Sequence, residues 1–402
     1  MPRKKTVRDV DVEGKTVLVR ADFNVTFVPG TAAISDDSRI RATLPTIENL
    51  VSRNAKVVLC SHLGRPNGRV SPELRMQPVS ERLAELLGHP VTQTSEPSGA
   101  DVWTTVQAMQ PGEVVVLENL RFDPREESND PSYAKGLASL ADVYVNDAFG
   151  AAHRAHASTE GVTKFLPSVA GLLMERELEM LGTVLDSPRQ PLVAIVGGAK
   201  VSDKLPVIER FTGRAKTLLV GGGMAATFLK SQGLKVGDSL VEEELIERAG
   251  DILSRSEKLG TAVLSPTDVV VSSDFSADAT SRIVDVSCIE SGWRIMDIGP
   301  ETAERYANAL SDAGTVLWNG TMGVFEWPAF SAGTKRLAEA LAAQEEAQEE
   351  AIRVIGGGST AEAVISLGLA DRITHVSTGG GASLEFLEGR ELPGVAGLLD
   401  AD

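Results

Sequence analysis

Short, continuously apolar segments recur along this 402-residue chain, with helical patterns between them. Continuous hydrophobicity is typical of strands that are buried on both faces of a sheet. Helices between such strands favour parallel sheets, and the length predicts two domains of about 200 residues each. The predicted strands are TVLVR (16–20), KVVLC (56–60), EVVVLE (113–118), DVYV (142–145), PLVAIV (191–196), KTLLV (216–220), TAVL (261–264), TVLW (315–318) and IRVI (352–355).

We interpret residues 169–185 as one helix that leads from the first domain to the second. Apolar residues recur there at helical spacing, and the pattern ends at Ser187-Pro188. The apolar positions are Val169, Leu172, Leu173, Met180, Leu181, Val184 and Leu185, and the charged residues expected on the solvent face are Glu175, Arg176, Glu177 and Glu179. An ordinary surface helix is the alternative, and only the mid-chain position favours a linker. The Ala- and Glu-rich residues 336–352 predict a solvated helix without a function of its own.

The charge balance restricts the partners of this chain. Its 56 acidic and 39 basic residues give a net charge of -17, which argues against nucleic acid and anionic membranes as partners. The chain has 13 Lys and 26 Arg. Few lysines with an excess of acid lead to the hypothesis that the protein stays soluble in concentrated salt.

Cysteine content and hydropathy bear on the compartment. The two cysteines, Cys60 and Cys288, lie far apart, so a disulfide framework is excluded and a reducing cytoplasm is expected. No apolar run reaches the length of a membrane span, and the basic N-terminal residues lack the apolar stretch of a secretory signal. Cys60 lies inside an apolar run, and we interpret it as a buried structural thiol.

Polar loops follow the predicted strands of the first half, at the edge where open parallel sheets bind ligands. These loops read RADFN (20–24), SHLGRP (61–66), ENLRF (118–122) and NDAFGAAHRAH (146–156), and SDDSRIRA (35–42) follows the first of them. They contain Asp22, Asn24, Arg39, His62, Arg65, Arg121 and Arg154. Arginine binds phosphate and carboxylate through paired N–H groups, so these loops predict a pocket for a small polyanion. Local capping or pairing is the alternative for any single arginine, but it explains four in successive loops less well.

Glycine-rich loops follow the strands of the second half. They read GGAKVSDK (197–204), GGGMA (221–225), GGGST (356–360) and STGGGAS (377–383). Glycine lets backbone N–H groups approach phosphate, and a following helix N-terminus favours negative charge. Tight turns use glycine in any case, but four such loops that include Lys200 and Lys204 predict a nucleotide site.

Several known signatures are absent from the sequence. There is no G-x-x-x-x-G-K-[ST] loop, no protein-kinase set, no dinucleotide fingerprint in a first strand–helix unit and no G-x-S-x-G elbow. His153 and His156 have the spacing of a metal pair, but no Cys or carboxylate cluster supports one. A substrate-binding domain beside a nucleotide-binding domain predicts phosphoryl transfer, which needs positioning and charge neutralisation more than a nucleophilic side chain.

Long ordered segments extend this interpretation over nearly the whole chain. They are RADFNV, DDSRIRATLPTI, SHLGRP, LENLRF, NDAFGAAHRAH, GGAKVSDK, GGGMA, DIGPET, WNGTMGVFE, GGGST and STGGGASLEFLEG. In these segments the chain resembles the phosphoglycerate kinase family. The resemblance implies two Rossmann-like three-layer αβα domains with mostly parallel sheets, joined by a linker helix. The implied ranges are a phosphoglycerate-binding domain at 1–167, the linker helix at 168–187, a nucleotide-binding domain at 188–384 and a tail at 385–402 that returns to the first domain.

The resemblance also implies the reaction. The family reversibly transfers a phosphoryl group, in line and without a covalent enzyme intermediate, between 1,3-bisphosphoglycerate and ADP. The products are 3-phosphoglycerate and ATP, in glycolysis and gluconeogenesis. The resemblance further implies Mg²⁺ carried by the nucleotide, a cytoplasmic monomer, and hinge-bending closure that expels water.

Roles follow from the resemblance residue by residue. The implied phosphoglycerate site is Asp22, Asn24, Arg39, His62, Arg65, Arg121 and Arg154. The implied transition-state contacts are Arg39, Lys200, Gly357 and Gly380. The implied nucleotide site is Lys204, Gly222 and Gly223 at the adenine, Asn319, Glu326 at the ribose, and Gly356, Gly357, Gly358, Ser359 and Thr360 at the phosphates. The turn at 379–381 would also offer backbone N–H groups.

Two departures from the family pattern stand out. Ser359 occupies the place of an aspartate that helps to hold Mg²⁺, so carboxylate coordination is lost there and the metal ligands stay unassigned. Thr321 replaces the proline of a WNGP pattern, which alters local rigidity. Ser359 leaves open a second hypothesis beside an active kinase, namely a non-catalytic descendant that only binds nucleotide or a phosphorylated acid. A third hypothesis is a two-domain dehydrogenase, and the missing dinucleotide fingerprint argues against it.

Overall fold

The structure, a computed structural model, describes residues 3–347 and 350–401. The chain divides into two compact units. Unit 1 is Met1–Glu179 together with Glu391–Asp402, and unit 2 is Met180–Arg390. Each unit contains a six-stranded sheet whose strand pairs are all parallel, with helices in the connections. The predicted α/β class with mostly parallel sheets is confirmed.

Among the described residues, unit 1 contains the first eight strands, the first six helices and one short helix near the C-terminus. The strands are β1 (Thr16–Arg20), β2 (Thr26–Phe27), β3 (Ile34–Asp36), β4 (Lys56–Cys60), β5 (Val91–Gln93), β6 (Val114–Val116), β7 (Val143–Asn146) and β8 (Ser168–Ala170). The helices are α1 (Ser38–Ser52), α2 (Gln77–Leu87), α3 (Ala100–Gln107), α4 (Pro124–Glu127), α5 (Pro131–Ala138) and α6 (Leu172–Asp186), the last of which continues into unit 2.

The sheet of unit 1 has the order β5-β6-β4-β1-β7-β8, while β2 and β3 form a separate hairpin. Strands β1 and β4 are buried from their second residue onward, as continuous hydrophobicity predicts. Val19 and Leu59 of these strands share one apolar cluster with Ile40 and Ile47 of α1. The contacts between α1 and these two strands hold the strand ends, and the loops that follow them, in place at the edge of the sheet.

Within residues 180–347 and 350–390, unit 2 contains the remaining strands and seven further helices. The strands are β9 (Leu192–Val196), β10 (Thr217–Val220), β11 (Ala262–Leu264), β12 (Asp268–Ser272), β13 (Ser281–Asp285), β14 (Arg294–Ile298), β15 (Thr315–Asn319), β16 (Ile352–Gly356) and β17 (His375–Val376). The helices are α7 (Leu205–Phe211), α8 (Ala225–Ser231), α9 (Ile246–Lys258), α10 (Pro300–Leu310), α11 (Ala332–Ala347), α12 (Gly358–Ser366) and α13 (Gly381–Leu387). The parallel sheet has the order β11-β10-β9-β15-β16-β17, and its core includes Ile195 and Trp318.

The helix expected at 168–187 is shorter than the sequence indicated. Residues 168–170 form β8, in which Val169 pairs with Val145 of β7, and α6 begins only at Leu172. Glu177, expected on the solvent face, is fully buried. A buried edge strand and a buried helix have similar hydrophobicity over three residues, so the apolar pattern does not distinguish β8 from the start of a helix.

Two further elements differ from the expectation. The sequence did not indicate the antiparallel sheet β13-β12-β14, whose edge strand β13 is mostly exposed and therefore lacks an apolar run. The Ala- and Glu-rich helix starts at Ala332, and Ile352 at the end of the predicted segment opens β16 instead. Residues 348–349 of that segment lie outside the described residues.

The last described residues of the chain belong to unit 1. After Glu391 the short helix α14 (Pro393–Ala396) forms, and the side-chain amide of Asn146 donates to Gly394 O over 2.8 Å. Leu399 N donates to Ser168 O over 2.9 Å, and Lys5 N donates to Leu399 O over 2.8 Å. Among the described residues, no helix combines the length and apolarity that a membrane span requires.

Candidate functional site

In unit 1, the polar residues singled out in the sequence follow four neighbouring strands of the sheet. Asp22 and Asn24 come after β1, and His62 comes after β4. Arg121 lies in a short helical turn after β6, and Arg154 lies in the loop after β7. Because the strands run β6-β4-β1-β7 in parallel, these loops share one edge of the sheet.

An ion pair joins the start of α1 to the loop after β1. Arg39, at the second position of α1, donates through Nη1 to Oδ2 of Asp22. Burial opposes the charge of Asp22, but His62, Arg39 and Arg20 outweigh it and hold the pKa of this carboxyl below its usual value. Asp22 is therefore an anion that fixes the guanidinium of Arg39.

Hydrogen bonds tie the loop after β4 to its neighbours on both sides. Gly64 N donates to Oδ1 of Asn24 over 2.8 Å, and Nη1 of Arg121 donates to Gly64 O over 2.8 Å. The guanidinium of Arg121 also lies 3.1 Å from a carboxylate oxygen of Glu127. Three predicted loops thus form one bonded arrangement.

Positive charge is concentrated around the two buried histidines of this edge. Burial, together with Arg121, Arg20 and Arg154, lowers the pKa of His156 to about 4. Burial and the arginines Arg20, Arg121 and Arg39 also hold the pKa of His62 well below its usual value, although Asp22 opposes them. Both imidazoles are therefore neutral near pH 7, and the positive charge of this edge comes from its arginines.

Two predicted residues of unit 1 are less integrated. Arg65 is exposed and makes no hydrogen bond or ion pair among the described residues. Arg154 donates through Nε to Nε2 of His153 over 3.2 Å. The structure brings Arg154 into electrostatic reach of Arg121, but it shows no such contact for Arg65.

Asn119 is a residue of this edge that sequence reasoning did not single out. It is fully buried, and its Oδ1 accepts from Leu63 N over 3.2 Å and from Arg121 N over 3.1 Å. Its Nδ2 donates to Leu63 O and Leu74 O over 2.8 and 2.9 Å. Asn119 therefore joins the His62 loop to the Arg121 turn. The available signal was an asparagine directly after the apolar segment 113–118.

In unit 2, glycines let the turns after β9, β10 and β15 pack backbone against backbone. Gly222 has a φ of 67°, and a Cβ there would lie 2.5 Å from Gly198 O. A Cβ on Gly320, whose φ is 101°, would overlap the carbonyl of Gly197. The N–H of Gly222 donates to Met322 O over 2.9 Å, so it is already used inside the protein. The glycine at 222 is thus required by turn packing.

A hydrogen bond joins the side chains of Lys204 and Asn319 in unit 2. The ammonium of Lys204 donates to Oδ1 of Asn319, and burial lowers the pKa of this lysine although Asp203 and Glu388 oppose it. Asn319 is fully buried, and its Nδ2 has no hydrogen-bond partner among the described residues. A Cβ on Gly356 would lie 3.1 Å from this nitrogen. The glycine turn and a spare amide donor therefore lie together.

The turn 356–360 opens helix α12. Gly357 precedes the helix with a φ of 91° and no side chain caps the helix. Thr360 is fully buried, and its hydroxyl accepts from Gly320 N over 2.8 Å, whereas Ser359 is exposed and forms no hydrogen bond among the described residues. The uncapped N–H groups of this helix are available to an anion.

The remaining predicted residues of unit 2 lie around these turns. Gly380, with a φ of 52°, precedes α13, and the hydroxyls of Ser377 and Ser383 beside it lie 2.6 Å apart. Lys200 and Glu326 are exposed and form no hydrogen bond among the described residues. Gly223 approaches Ala199, with 2.9 Å between a Cβ built on it and Ala199 O.

Comparison with known proteins decides the family. The family model described as phosphoglycerate kinase matches residues 7–390. The chain belongs to the phosphoglycerate kinase family. It is 55% identical to the phosphoglycerate kinase of Chloroflexus aurantiacus, with 99% of this chain and 100% of the relative covered. For that of Herpetosiphon aurantiacus the identity is 53%, and 99% of each chain is covered.

Solved phosphoglycerate kinases have the same fold. The structure from Coxiella burnetii matches with a TM-score of 0.86 at 38% identity and covers 98% of both chains. The structure from Pyrococcus horikoshii matches with a TM-score of 0.83 at 33% identity, again over 98% of both. The chain is therefore a phosphotransferase that interconverts 1,3-bisphosphoglycerate and ADP with 3-phosphoglycerate and ATP, the glycolytic reaction of phosphoglycerate kinases.

The donors of unit 2 bear on the metal that this kinase family implies. No three His, Cys, Asp or Glu side chains are grouped as metal ligands within residues 3–347 and 350–401. Ser359 offers one exposed neutral hydroxyl. This donor set fits Mg²⁺ that arrives on nucleotide phosphates, because Mg²⁺ bound in this way keeps water and phosphate ligands.

Proposed function

We propose that the two units divide the substrates of this reaction, with phosphoglycerate in unit 1 and the nucleotide in unit 2. The observation that carries the proposal is the bonded edge of unit 1, where Asp22–Arg39, Asn24–Gly64 and Arg121–Gly64 join loops from neighbouring strands. Such an edge, rich in guanidinium groups, suits a small acid that carries phosphate. The uncapped glycine turn of α12 supports the nucleotide assignment in unit 2.

In unit 1, each side chain has a chemical task. Neutral His62 offers a donor to the substrate, while Asp22 and Asn24 accept from its hydroxyl. The carboxylate and the phosphate of the substrate are bound by Arg65, Arg121 and Arg154. Arg39 lies at the transferring phosphoryl group, where its pairing with Asp22 holds the guanidinium in place before charge develops.

In unit 2, donors surround the nucleotide. Lys204 and the spare Nδ2 of Asn319 bind its phosphates together with backbone N–H groups of the α12 turn. The residues of that turn are Gly356, Gly357, Gly358, Ser359 and Thr360. Gly222 and Gly223 border the adenine, and Glu326 binds the ribose. Mg²⁺, when carried by the nucleotide, neutralises phosphate charge.

The transfer itself needs charge stabilisation more than acid–base chemistry. The attacking oxygen of ADP is already anionic, so no side chain has to remove a proton. Lys200 and the N–H groups of the Gly357 and Gly380 turns stabilise the transferring group from the nucleotide side. Hinge-bending closure, which would exclude water from the reacting groups, completes this proposal.

The setting of the enzyme also belongs to the proposal. Both thiols are free, with Cys60 buried and Cys288 exposed, which suits a reducing compartment such as the cytoplasm. We propose a monomer there, acting on small-molecule substrates, with no role for nucleic acid or membrane.

Arg39 provides the decisive test. ATP consumption with 3-phosphoglycerate is measured in a coupled assay with salt-tolerant coupling enzymes, in molar KCl and with titrated Mg²⁺. Arg39→Ala should lower kcat by about 10²–10³-fold, because a charge-stabilising donor is lost. Arg41→Ala is the matched control, since Arg41 lies on the same helix and pairs with Asp37. Equal losses in both variants would contradict the assignment.

Ser359→Asp tests the second candidate function, the non-catalytic binder that Ser359 favours. In an active enzyme this change should lower the Mg²⁺ concentration required for half-maximal rate. An inactive wild type that gains activity through Ser359→Asp would instead identify a lapsed kinase whose remaining function is binding.

A further inference from the structure

Arg20 is a buried cation beneath the unit 1 edge, and none of the assigned roles includes it. It is the last residue of β1 and only 1% exposed. Its Nε donates to the hydroxyl of Ser158 over 2.9 Å, Nη1 donates to Ala21 O, and Nη2 lies 3.1 Å from Nδ1 of His62. A guanidinium with three separate partners is held in one orientation.

A buried carboxylate provides the matching charge. Glu126 is fully buried, and its Oε1 accepts from the Ser158 hydroxyl over 2.5 Å. Its Oε2 accepts from Ser158 N over 3.1 Å. Ser158 therefore bridges Glu126 and Arg20, and the chain of contacts Glu126–Ser158–Arg20–His62 runs from the interior to the candidate substrate site.

The bond to Arg20 determines the protonation of His62. A guanidinium can only donate, so Nδ1 of the imidazole must accept, and in the neutral ring the proton resides on Nε2. Nε2 has no hydrogen-bond partner among the described residues. The charged groups that act on this ring are Asp22, Arg20, Arg121 and Arg39. With three of these four cationic, the neutral ring is favoured.

We propose that Arg20 is a positioning residue of the phosphoglycerate site, which holds His62 as the Nε2–H tautomer so that Nε2 donates to the bound acid. This inference rests on the proposed function of His62. Arg20 does not touch substrate in this role. It acts through the imidazole, and Glu126 with Ser158 keeps its orientation fixed.

The first test is the wild-type enzyme with ¹⁵N-labelled histidine and arginine. The chain has five histidines, so the imidazole signals are few, and His62→Gln assigns the one of interest. We expect a protonated Nε2, an unprotonated Nδ1 and a scalar coupling across the N–H···N bond to Arg20, unchanged from pH 6 to pH 8. A proton on Nδ1 in the wild type would overturn the proposal without any variant.

The second test removes Arg20 while keeping the interior neutral. Arg20→Met alone leaves Glu126 as an unpaired buried charge, so the variant used is Arg20→Met with Glu126→Gln. We expect mixed tautomers at His62 and a KM for 3-phosphoglycerate raised about tenfold or more, with the KM for ATP unchanged. Tyr144→Phe is the matched control, since its hydroxyl donates to Ser158 O over 2.7 Å in the same cluster but not to the imidazole. It should leave both readouts unchanged.

The outcomes separate the two proposals. A folded double variant with the wild-type tautomer and KM would overturn the role of Arg20 and leave the kinase assignment intact. If the double variant does not fold, the wild-type tautomer and coupling decide. A wild type that shows neither turnover nor a His62 shift on adding 3-phosphoglycerate would instead remove the proposed function itself.

Discussion

Among single residues, those that organise the candidate site of unit 1 are buried and connect distant parts of the chain. Asn119 bonds to Leu63 and Leu74, and Arg20 bonds to His62 and Ser158. Folding removes these polar groups from water, and each of these hydrogen bonds replaces one that the group makes to water in the unfolded chain. Removing one partner therefore costs more than the bond itself contributes, because the other partner stays buried and unpaired.

Asn119→Ala is expected to weaken phosphoglycerate binding without affecting nucleotide binding. The change leaves Leu63 and Leu74 backbone groups without partners, at a cost of roughly 2–4 kcal/mol in unfolding free energy. The loops that carry His62 and Arg121 would lose their common anchor, so the KM for 3-phosphoglycerate should rise several-fold. Chemical denaturation and steady-state kinetics measure the two effects.

The control for this prediction is Asn308→Ala, an exposed position of α10 in unit 2. It should change neither stability nor KM. An Asn119→Ala enzyme with the wild-type KM for 3-phosphoglycerate would show that Asn119 does not align the two loops.

The site residues that could be predicted from the sequence are those that lie just after a predicted strand. Asp22, His62 and Arg121 could be identified because each follows an apolar run, and parallel strands bring such ends together. Arg20 and Asn119 were harder to single out. Their partners are 42 and 56 residues away in the chain, and only folding brings them within reach.

At the level of elements, continuous hydrophobicity located the central strands closely. The segments 16–20 and 56–60 coincide with β1 and β4. The same signal does not distinguish β8 from part of a helix, and it does not detect β13, which is mostly exposed. The start of α6 was missed as well, because side chains distant in sequence define it. Leu172 N donates to the hydroxyl of Thr46 over 2.9 Å, and Leu173 N donates to Oδ1 of Asp147 over 2.9 Å.

The cap at the start of α6 predicts a pH dependence of stability. Burial raises the pKa of Asp147 to about 6, although hydrogen bonds with Thr46, Met174 and Leu173 oppose the shift. The pKa is higher in the folded than in the unfolded chain, so this contribution to stability is complete below about pH 4. It is lost as the pH rises through about 6.

Asp147→Asn should remove this component. The amide oxygen can still accept from Leu173 and Met174, but no charge is buried at neutral pH. Relative to the wild type, the melting temperature should rise by a few degrees at pH 7.5 and differ little at pH 4.5. Calorimetry at fixed ionic strength checks this, with Asp101→Asn at an exposed position of α3 as the control. A constant difference between variant and wild type from pH 4.5 to pH 7.5 would contradict it.

For the whole molecule, the net charge of -17 is the dominant property. Like charges repel more strongly in the compact state than in the unfolded chain, and salt screens this repulsion. The ion pairs of the surface do not remove it, since acidic residues exceed basic ones by the amount of the net charge. The hypothesis of salt adaptation follows from this excess.

We predict that activity and melting temperature both rise from 0.1 M to about 2 M KCl, because the screening length falls from about 10 Å to below 3 Å. Calorimetry and the coupled assay are each repeated in sucrose of equal osmolality. Sucrose is excluded from the protein surface but does not screen charge, so a rise seen only in KCl is due to screening. A protein that is equally stable and active at both salt concentrations would end the hypothesis.

The discontinuity of unit 1 has a consequence for the order of biosynthesis. Residues 391–401 leave the ribosome after every residue of unit 2, yet they supply bonding partners to Lys5, Ala152 and Ser168. Until then the sheet edge at β8 lacks Leu399 and the Ala152 carbonyl lacks Gly394 N. Domains usually mature in the order in which they are translated. In this chain most of unit 1 is translated first, but unit 2 is the first to have its complete sequence, because the last segment of unit 1 follows it.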